Sequence, residues 1–433
     1  MMLNSLPQEL LALVIANLCL VRGVARVCRA FRDATNASEA AAKRTGAGHA
    51  GHTKSVSAVA VTPGGHVVTG SHDFTVKIWI ERTDGSRDMK CIRTIDMSDG
   101  VGYGRAHPVI NAIALMPGAA RLAIASGWDR VDIHSLVSGD RLAGVGGHPA
   151  AFDGPEPLCV AAIPDGEHFV VGDGGGSHMY EVQTGTSGAG HLRLCNSSDR
   201  NYIQTVVAHG DDDAPGEVHA IAVSRSGRHI VTGSADGLLK VWGFNKRDGR
   251  IDVDDDSEVD DDDDSGPRVF PCREPLAVCD DDDDRDSPIL SVAISDTGRI
   301  LSGSSRRDHG GSRGDVKVWL FNGTLEATIK GLHGGWFDEE EVMGPYGPIR
   351  HTPFRNGAVI ALVALPGNNP HALSGSEDHT IKLFNFSSTS STTVVRTFTH
   401  HTGPVRCLAL MPDGRSFVSG SDDMTVRIVD LQA

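Results

Sequence analysis

The sequence predicts a mainly β fold assembled from seven similar units, preceded by a short helical segment. Three observations carry that prediction. A phrase of three short apolar runs recurs along the chain. Glycine accounts for 51 of the 433 residues, a load that suits tight turns and works against long helices. A chain of 433 residues is also too long for one ordinary layered core, so it must divide into domains or repeat itself.

The recurring phrase reads SVSAVAVTPGGHVVTGSHDFTVKIW from Ser55, EVHAIAVSRSGRHIVTGSADGLLKVW from Glu217 and VRCLALMPDGRSFVSGSDDMTVRIVD from Val405. Each copy alternates apolar and polar residues in three runs punctuated by turn residues, the pattern of half-buried antiparallel strands. With the glycine ahead of the third run as a ruler, the marks fall at Gly70, Gly127, Gly172, Gly233, Gly303, Gly375 and Gly420. The shortest interval matches one four-stranded unit, and the longer ones are that unit plus loop insertions.

These residues resemble the WD-repeat family: from about residue 44 to residue 433 the chain looks like a seven-bladed WD-repeat beta-propeller. The resemblance implies a hydrogen-bonded network in each blade. Its parts are a histidine ahead of the first strand, an aspartate in the turn before the third strand and a tryptophan ending that strand. The matching histidines are His52, His107, His148, His209, His333 and His401, and the matching aspartates are Asp73, Asp129, Asp236, Asp315, Asp378 and Asp423. The tryptophan survives as Trp79, Trp242 and Trp319, with Phe384 and Val429 in other units. A buried imidazole and carboxylate must find partners or cost stability, so these are structural groups. Blade 3, around Val170 to Val182, departs most, with a GDGGG turn and no clear Asp–Trp pair. The last unit stops after its third strand, and the resemblance implies that the Ala/Gly-rich segment near Lys43 to Gly48 completes it.

Residues 1–38 read as two amphipathic helices. Ser5 and Gln8 have capping-box spacing, and Leu6, Leu10, Val14 and Leu18 follow at i+4 intervals as one apolar stripe. A second helix, from Leu20 to Thr35, gathers Val27, Cys28 and Phe31 on one side and Arg22, Arg26 and Arg29 on the other. LPQELL followed by VARVCRAFRDA resembles the F-box, the all-α motif that docks on the Skp-type adaptor of cullin–RING (SCF-type) ubiquitin ligases, although the linker between its helices is shortened here. The resemblance implies adaptor binding through Leu6, Pro7, Leu10, Val14, Leu18, Val27 and Phe31. A helical cap packed on the propeller is the alternative.

Between Arg250 and Leu290 stands most of the net charge of −16, in the run DVDDDSEVDDDDD from Asp252 and the five aspartates from Asp280 to Asp284. This acidic insertion, at about residues 250–286, lacks the glycine and terminal glutamate of a calcium loop and reads as a solvated, self-repelling segment. The acidic balance disfavours nucleic acid. Leu10 to Val24 is too short and too interrupted to span a bilayer, and the scattered cysteines Cys28, Cys91, Cys159 and Cys407 read as small buried hydrophobes of a reducing compartment. A cytoplasmic or nuclear protein is expected.

No H-E-x-x-H, phosphate loop or nucleophile elbow is present, so neither enzyme chemistry nor a cofactor or metal is expected. Client binding is expected on the face bearing the loops before the first and third strands. Arg306, Arg307 and Arg313 of blade 5 meet there with Trp336 and Phe337 of a long blade 6 insertion, the composition of interface anchors. The second residues of the first strands face the same side. Arg406 is the single arginine among them and His219 its neighbour in kind, and one arginine is not a phosphate clamp. The expectation is a substrate receptor, monomeric within its complex, that holds a mixed or basic client protein. A propeller scaffold with no ligase link is the competing class.

Overall fold

The structure, a computed structural model, describes residues 51–432 apart from 82–88, 99–108, 119, 128–129, 147–155, 175–188, 199–201, 211–215, 248, 253–268, 271–276, 280–286, 309–310, 335–339, 345–346, 352–356 and 388–393. The expected helices of residues 1–38, and the segment expected to complete the last blade, lie outside the described residues.

Seven antiparallel sheets follow one another along the chain. Blade 1 is Val56–Val61, Val67–Ser71, Thr75–Glu81 and Met89–Asp96, and blade 2 is Ile110–Met116, Arg121–Ser126, Arg130–Ser135 and Arg141–Gly146. Blade 3 is Pro157–Ala162, His168–Asp173, Gly190–Asn196 and Tyr202–His209. Blade 4 opens with Val218–Val223, His229–Ser234 and Leu239–Asn245, and blade 5 runs through Ile289–Ile294, Arg299–Ser304, Gly311–Leu320 and Leu325–Gly334. Blade 6 is Val359–Ala364, His371–Ser376, Ile381–Asn385 and Val394–Phe398, and blade 7 is Val405–Leu410, Ser416–Ser421 and Val426–Asp430. The first strand of each blade touches the first strand of the next, and Val405–Leu410 touches Val56–Val61, so the ring closes.

The ruler glycines explain how neighbouring blades seat on each other. A Cβ at Gly70, Gly172, Gly233, Gly303, Gly375 or Gly420 would stand 2.5 to 2.9 Å from Ile110, Val218, Ile289, Val359, Val405 or Val56 respectively. Each is the β-branched residue that opens the first strand of the following blade. The second strands, with blades on both sides, are buried from their second residue onward and in blades 1 and 7 throughout, which is why they read as near-continuous apolar runs rather than alternating ones. Blade 2 corrects the ruler: Ala125, not Gly127, pairs with the strand position that Gly70 holds in blade 1. The next first strand opens there on Pro157 instead of a β-branched residue. A second seam bond runs from the third residue of several first strands to the carbonyl that opens the next: Ser291 Oγ to Val359 at 2.9 Å, Cys159 Sγ to Val218 at 3.1 Å and Cys407 Sγ to Val56 at 3.6 Å. Burial pushes the Cys407 thiol up to about 12, so these cysteines are inert packing groups.

In blade 1, Trp79 Nε1 donates to Thr69 Oγ1 at 2.8 Å, His52 Nε2 lies 2.7 Å from the same hydroxyl, and His52 Nδ1 lies 2.9 Å from Asp73 Oδ2. Indole can only donate. The Asp73 carboxylate can only accept, so a neutral His52 carries its proton on Nδ1 and the threonine hydroxyl donates to Nε2 while accepting from Trp79. Asp73 also accepts the Thr53 N–H, the Thr75 N–H and the Thr75 hydroxyl. Blade 4 repeats the arrangement with Trp242, Thr232, His209 and Asp236. Blades 6 and 7 keep its upper part, Ser374–His333–Asp378 and Ser419–His401–Asp423, above Phe384 and Val429.

Three units depart. In blade 5 Trp319 Nε1 donates to Ser302, but Asp315 lies inside the third strand, two residues past the turn position, and accepts the Gly331 N–H at 2.5 Å. In blade 2 the tryptophan position is His134, and a buried Asp132 takes Arg130 Nε and Arg141 Nε, each at 2.7 Å. His107, His148 and Asp129 lie outside the described residues. Blade 3 carries its third strand at Gly190–Asn196, displaced by an insertion after the GDGGG turn. Its Asp173 is buried against His191 and Arg193 Nε, the latter at 3.0 Å.

The acidic insertion interrupts the fourth strand of blade 4. Arg250–Asp252 pairs with one end of Leu239–Asn245, and Ala277–Cys279 pairs with its other end. Between them Val269–Phe270 adds as a parallel strand to the outer edge of blade 3.

Candidate protein-interaction face

The bond from His52, ahead of the first strand, to Asp73, in the turn before the third, puts both loops on one face. Every first strand carries a register shift around its second residue. A bulge leaves one extra residue out of the ladder, here one per blade: Ser57, Asn111, Leu158, His219, Leu290, Ile360 and Arg406. Leu158 is the blade 3 member that the sequence leaves unplaced. The register shift at Gly172/Asp173 identifies it.

Polar groups around these residues bond one another. Asn111 Nδ2 reaches Glu156 Oε1 and the Pro157 carbonyl, each at 3.0 Å. Arg406 forks onto Asp422, with Nε 3.0 Å from both carboxylate oxygens and Nη2 at 2.7 Å from Oδ2, and approaches Glu377 at 3.8 Å. Ser55 of blade 1 donates to the same Asp422. Burial alone would raise the Asp422 pKa, but the Arg406 and Ser55 bonds outweigh it and hold it below its ordinary value. Burial pushes Glu377 up. Arg406, an expected client contact, bonds Asp422 within the chain while its side chain stays 38% exposed. His219 is half-buried 3.6 Å from Glu217, and burial lowers its pKa.

Farther out, the turns before the third strands of blades 1, 6 and 7 hold Phe74, His379 and Met424 at positive φ, 68°, 72° and 68°. Blade 4 has Gly237 in that place. Such backbone is strained for bulky residues, and three adjacent blades share it on one face, where Met424 is 48% exposed. Lys54 Nζ stands 4.7 Å over the Phe74 ring.

At the boundary of blades 5 and 6 the hairpin of Arg306–Asp308 with Gly311–Leu320 extends beyond the blade. Its register sets Arg306 opposite Arg313 and Arg307 opposite Ser312. Arg313 also pairs with Gly334, where the blade 6 insertion begins. That insertion includes a hairpin of its own, Glu340–Gly344 with Gly347–His351, hydrogen-bonded to no blade among the described residues. Trp336 and Phe337 lie outside the described residues, as do Leu6, Pro7, Leu10, Val14, Leu18, Val27 and Phe31. Among the described residues no group of three or more His, Cys, Asp or Glu could hold a metal ion, and no helix is long and apolar enough to cross a membrane.

The family model "WD domain, G-beta repeat" matches residues 45–79, 200–243 and 392–430. These segments enter blades 1, 4 and 7, where histidine and turn aspartate both stand in the described network. The chain is similar to the guanine nucleotide-binding protein subunit beta of Arabidopsis thaliana, 39% identical over 82 residues, which is 18% of this chain and 21% of that one. It is similar to the DENN domain and WD repeat-containing protein SCD1 of the same plant, 25% identical over 44% of this chain and 13% of the relative. Pre-mRNA-processing factor 17 of Saccharomyces cerevisiae is 36% identical over 19% of this chain and 18% of its own. The chain thus spans about a fifth or less of the length of these curated relatives. Among solved structures, a chain of "Crystal Structure of Mitotic Checkpoint Complex" superposes with a TM-score of 0.57 at 15% identity, covering 88% of this chain and 93% of that one. The protein carries WD40 repeats at the matched segments and has a seven-bladed propeller fold.

Proposed function

We propose that the chain is a non-catalytic client receptor whose loop-rich face holds a partner protein. The observation that supports this reading is the pair of hairpins, Arg306–Asp308 with Gly311–Leu320 and Glu340–Gly344 with Gly347–His351, that blade 5 and the insertion ahead of blade 6 add to the repeat framework. The arginines and aromatics that the sequence places in these segments have the composition of interface anchors. The N-terminal F-box-like motif links this face to a Skp-type adaptor and a cullin ligase, with ubiquitin transfer done by other subunits. Charge substitutions at Leu6, Leu10 and Phe31 abolish adaptor binding in this reading and leave the propeller folded, as circular dichroism and a pull-down with a purified adaptor test. A wild-type chain that binds no Skp-type adaptor leaves the second reading, a scaffold for a multiprotein complex. The propeller alone supplies the surface which that reading needs.

A further inference from the structure

Blade 2 gathers two arginines on one carboxylate. Leu122 and Ile124, which stand opposite His134 and Asp132, pack with Val76, Ile78 and Ile95 of blade 1, so Asp132 lies on the side of its sheet that faces blade 1. Arg130 Nε and Arg141 Nε both donate to Asp132 Oδ1, each at 2.7 Å, which makes their guanidinium groups close neighbours. Like charges so placed repel, and one carboxylate answers only one of them, leaving a residual charge of about +1. The strand makes room for this approach at Gly144, where a Cβ would meet the Arg141 guanidinium and stand 2.9 Å from Asp132 Oδ1; glycine inside a strand marks such a close contact. Asp132 is buried, whereas the Arg130 and Arg141 side chains are 39% and 48% exposed. Each guanidinium carries five N–H donors, and among the described residues only the Nε of each is bonded.

We propose that Arg130 and Arg141, held side by side by Asp132, form a carboxylate clamp for a glutamate- or aspartate-rich segment of a partner protein. The remaining N–H groups of two planar forks suit a carboxylate bidentately. The residual charge of about +1 matches a monoanionic carboxylate better than a phosphate dianion. Such capture is local, because the chain as a whole, with a net charge of −16, repels an acidic segment. The clamp goes beyond the receptor reading, which concerns the hairpins of blades 5 and 6 and the N-terminal motif, and it needs the propeller alone.

The test uses the full chain and dye-labelled decapeptides of glutamate, of glutamine and of the glutamate sequence with one phosphoserine, followed by fluorescence anisotropy. The glutamate peptide binds and weakens with added salt, and the glutamine peptide does not bind. Arg130→Gln with Arg141→Gln lowers affinity at least about tenfold, since charge-assisted bidentate bonds are lost. The same pair changed to lysine keeps the charge without the planar forks and recovers part of that loss. Arg121→Gln, which removes a guanidinium that donates to Ser197 on the blade 3 side, changes affinity less than about threefold. The double glutamine variant strands a buried Asp132, so a triple variant adds Asp132→Asn, and a melting temperature near that of the wild type certifies the fold. Equal binding by the glutamine variants, or no binding to the wild-type chain, overturns the clamp. Tighter binding of the phosphoserine peptide overturns the carboxylate assignment. If the glutamate peptide binds only once the aspartates between Asp254 and Asp264 are changed to asparagine, the chain's own acidic run fills the clamp and a partner segment is ruled out. Adaptor capture is unaffected by any of these results, so failure of the clamp and failure of the receptor reading are separable.

Discussion

Blades 1 and 4 carry a full chain of hydrogen bonds from tryptophan to aspartate, whereas blades 2 and 3 hold the same four-stranded sheet with different buried polar groups. In blade 1 the chain ends on Asp73, which collects four donors through its two oxygens. In blade 2 one Asp132 oxygen accepts two arginines that reach in from a partly exposed surface, and His134 Nε2 is buried with no hydrogen-bond partner among the described residues. The difference separates two jobs that the repeat phrase runs together. Seating of one blade on the next depends on the small residue in the second strand and the residue that faces it. The tryptophan-to-aspartate chain fixes the loops above, and a blade without it keeps the ring but places its loops by other means.

The sharpest way to break the comparison is to remove the histidine of a complete chain. His209→Ala strands Asp236 and the Thr232 hydroxyl in a buried site and should cost about 3 kcal/mol or more. Asp132→Ala in blade 2, whose arginines can turn to water, should cost about 1 kcal/mol; chemical denaturation measures both, and similar losses would erase the distinction. Next comes Gly233→Ala, whose added Cβ would meet Ile289 at 2.5 Å and Val292 at 2.9 Å. Overpacking of this kind costs about 1–3 kcal/mol, and restoring room with Ile289→Ala in the same chain should recover part of it.

Acid should act on the complete and upper-part chains in two stages. Burial lowers the pKa of His209, His333 and His401, with the aspartate partner pulling the other way. The unfolded chain, with histidine near its ordinary value of about 6.5, then binds more protons than the folded one, so this stability is present above that value and is lost as pH falls below it. For Asp236, Asp378 and Asp423 burial pushes upward, but hydrogen bonds outweigh it and hold each below its ordinary value, Asp423 at about 2. Their share is present above the ordinary carboxylate range and disappears as pH falls toward 2. Melting temperatures recorded from pH 8 to pH 3 should therefore fall in two steps, and the first step should shrink in a His209→Ala, His401→Ala chain. The smallest effect is a gain: Met424→Gly relieves a positive φ and should raise stability by up to about 1 kcal/mol, which calorimetry can resolve.

Much of this architecture is legible in the sequence because its signals are local. Gly233 and the alternating runs around it lie within one unit, and the clash that demands the glycine recurs at nearly every seam. Gly127 misleads because alanine suffices against Pro157, so the true marker at Ala125 carries no glycine. The third strand of blade 3 is hidden by the insertion before Gly190, which separates Asp173 from its partner His191. Asp315 copies the spacing of a turn aspartate, but the lengthened hairpin shifts it into a strand. At the candidate site the arginines are visible in the sequence, but the engagement of Arg406 by Asp422 is not, since it joins the bulge of one strand to the turn before another.

The divided fourth strand of blade 4 has a consequence for proteolysis. Cleavage anywhere between residues 253 and 276 would produce two fragments, each holding one piece of the strand that borders Leu239–Asn245. The second fragment would keep Ala277–Cys279 threaded against a sheet of the first. The first would keep Val56–Val61 against blade 7 of the second. The fragments thus meet at two seams on opposite sides of the ring, and neither seam relies on the severed peptide bond. Such a nicked chain should behave as a non-covalent heterodimer, running as one species on a sizing column and as two bands in denaturant. Expressed separately, the two halves should complement each other.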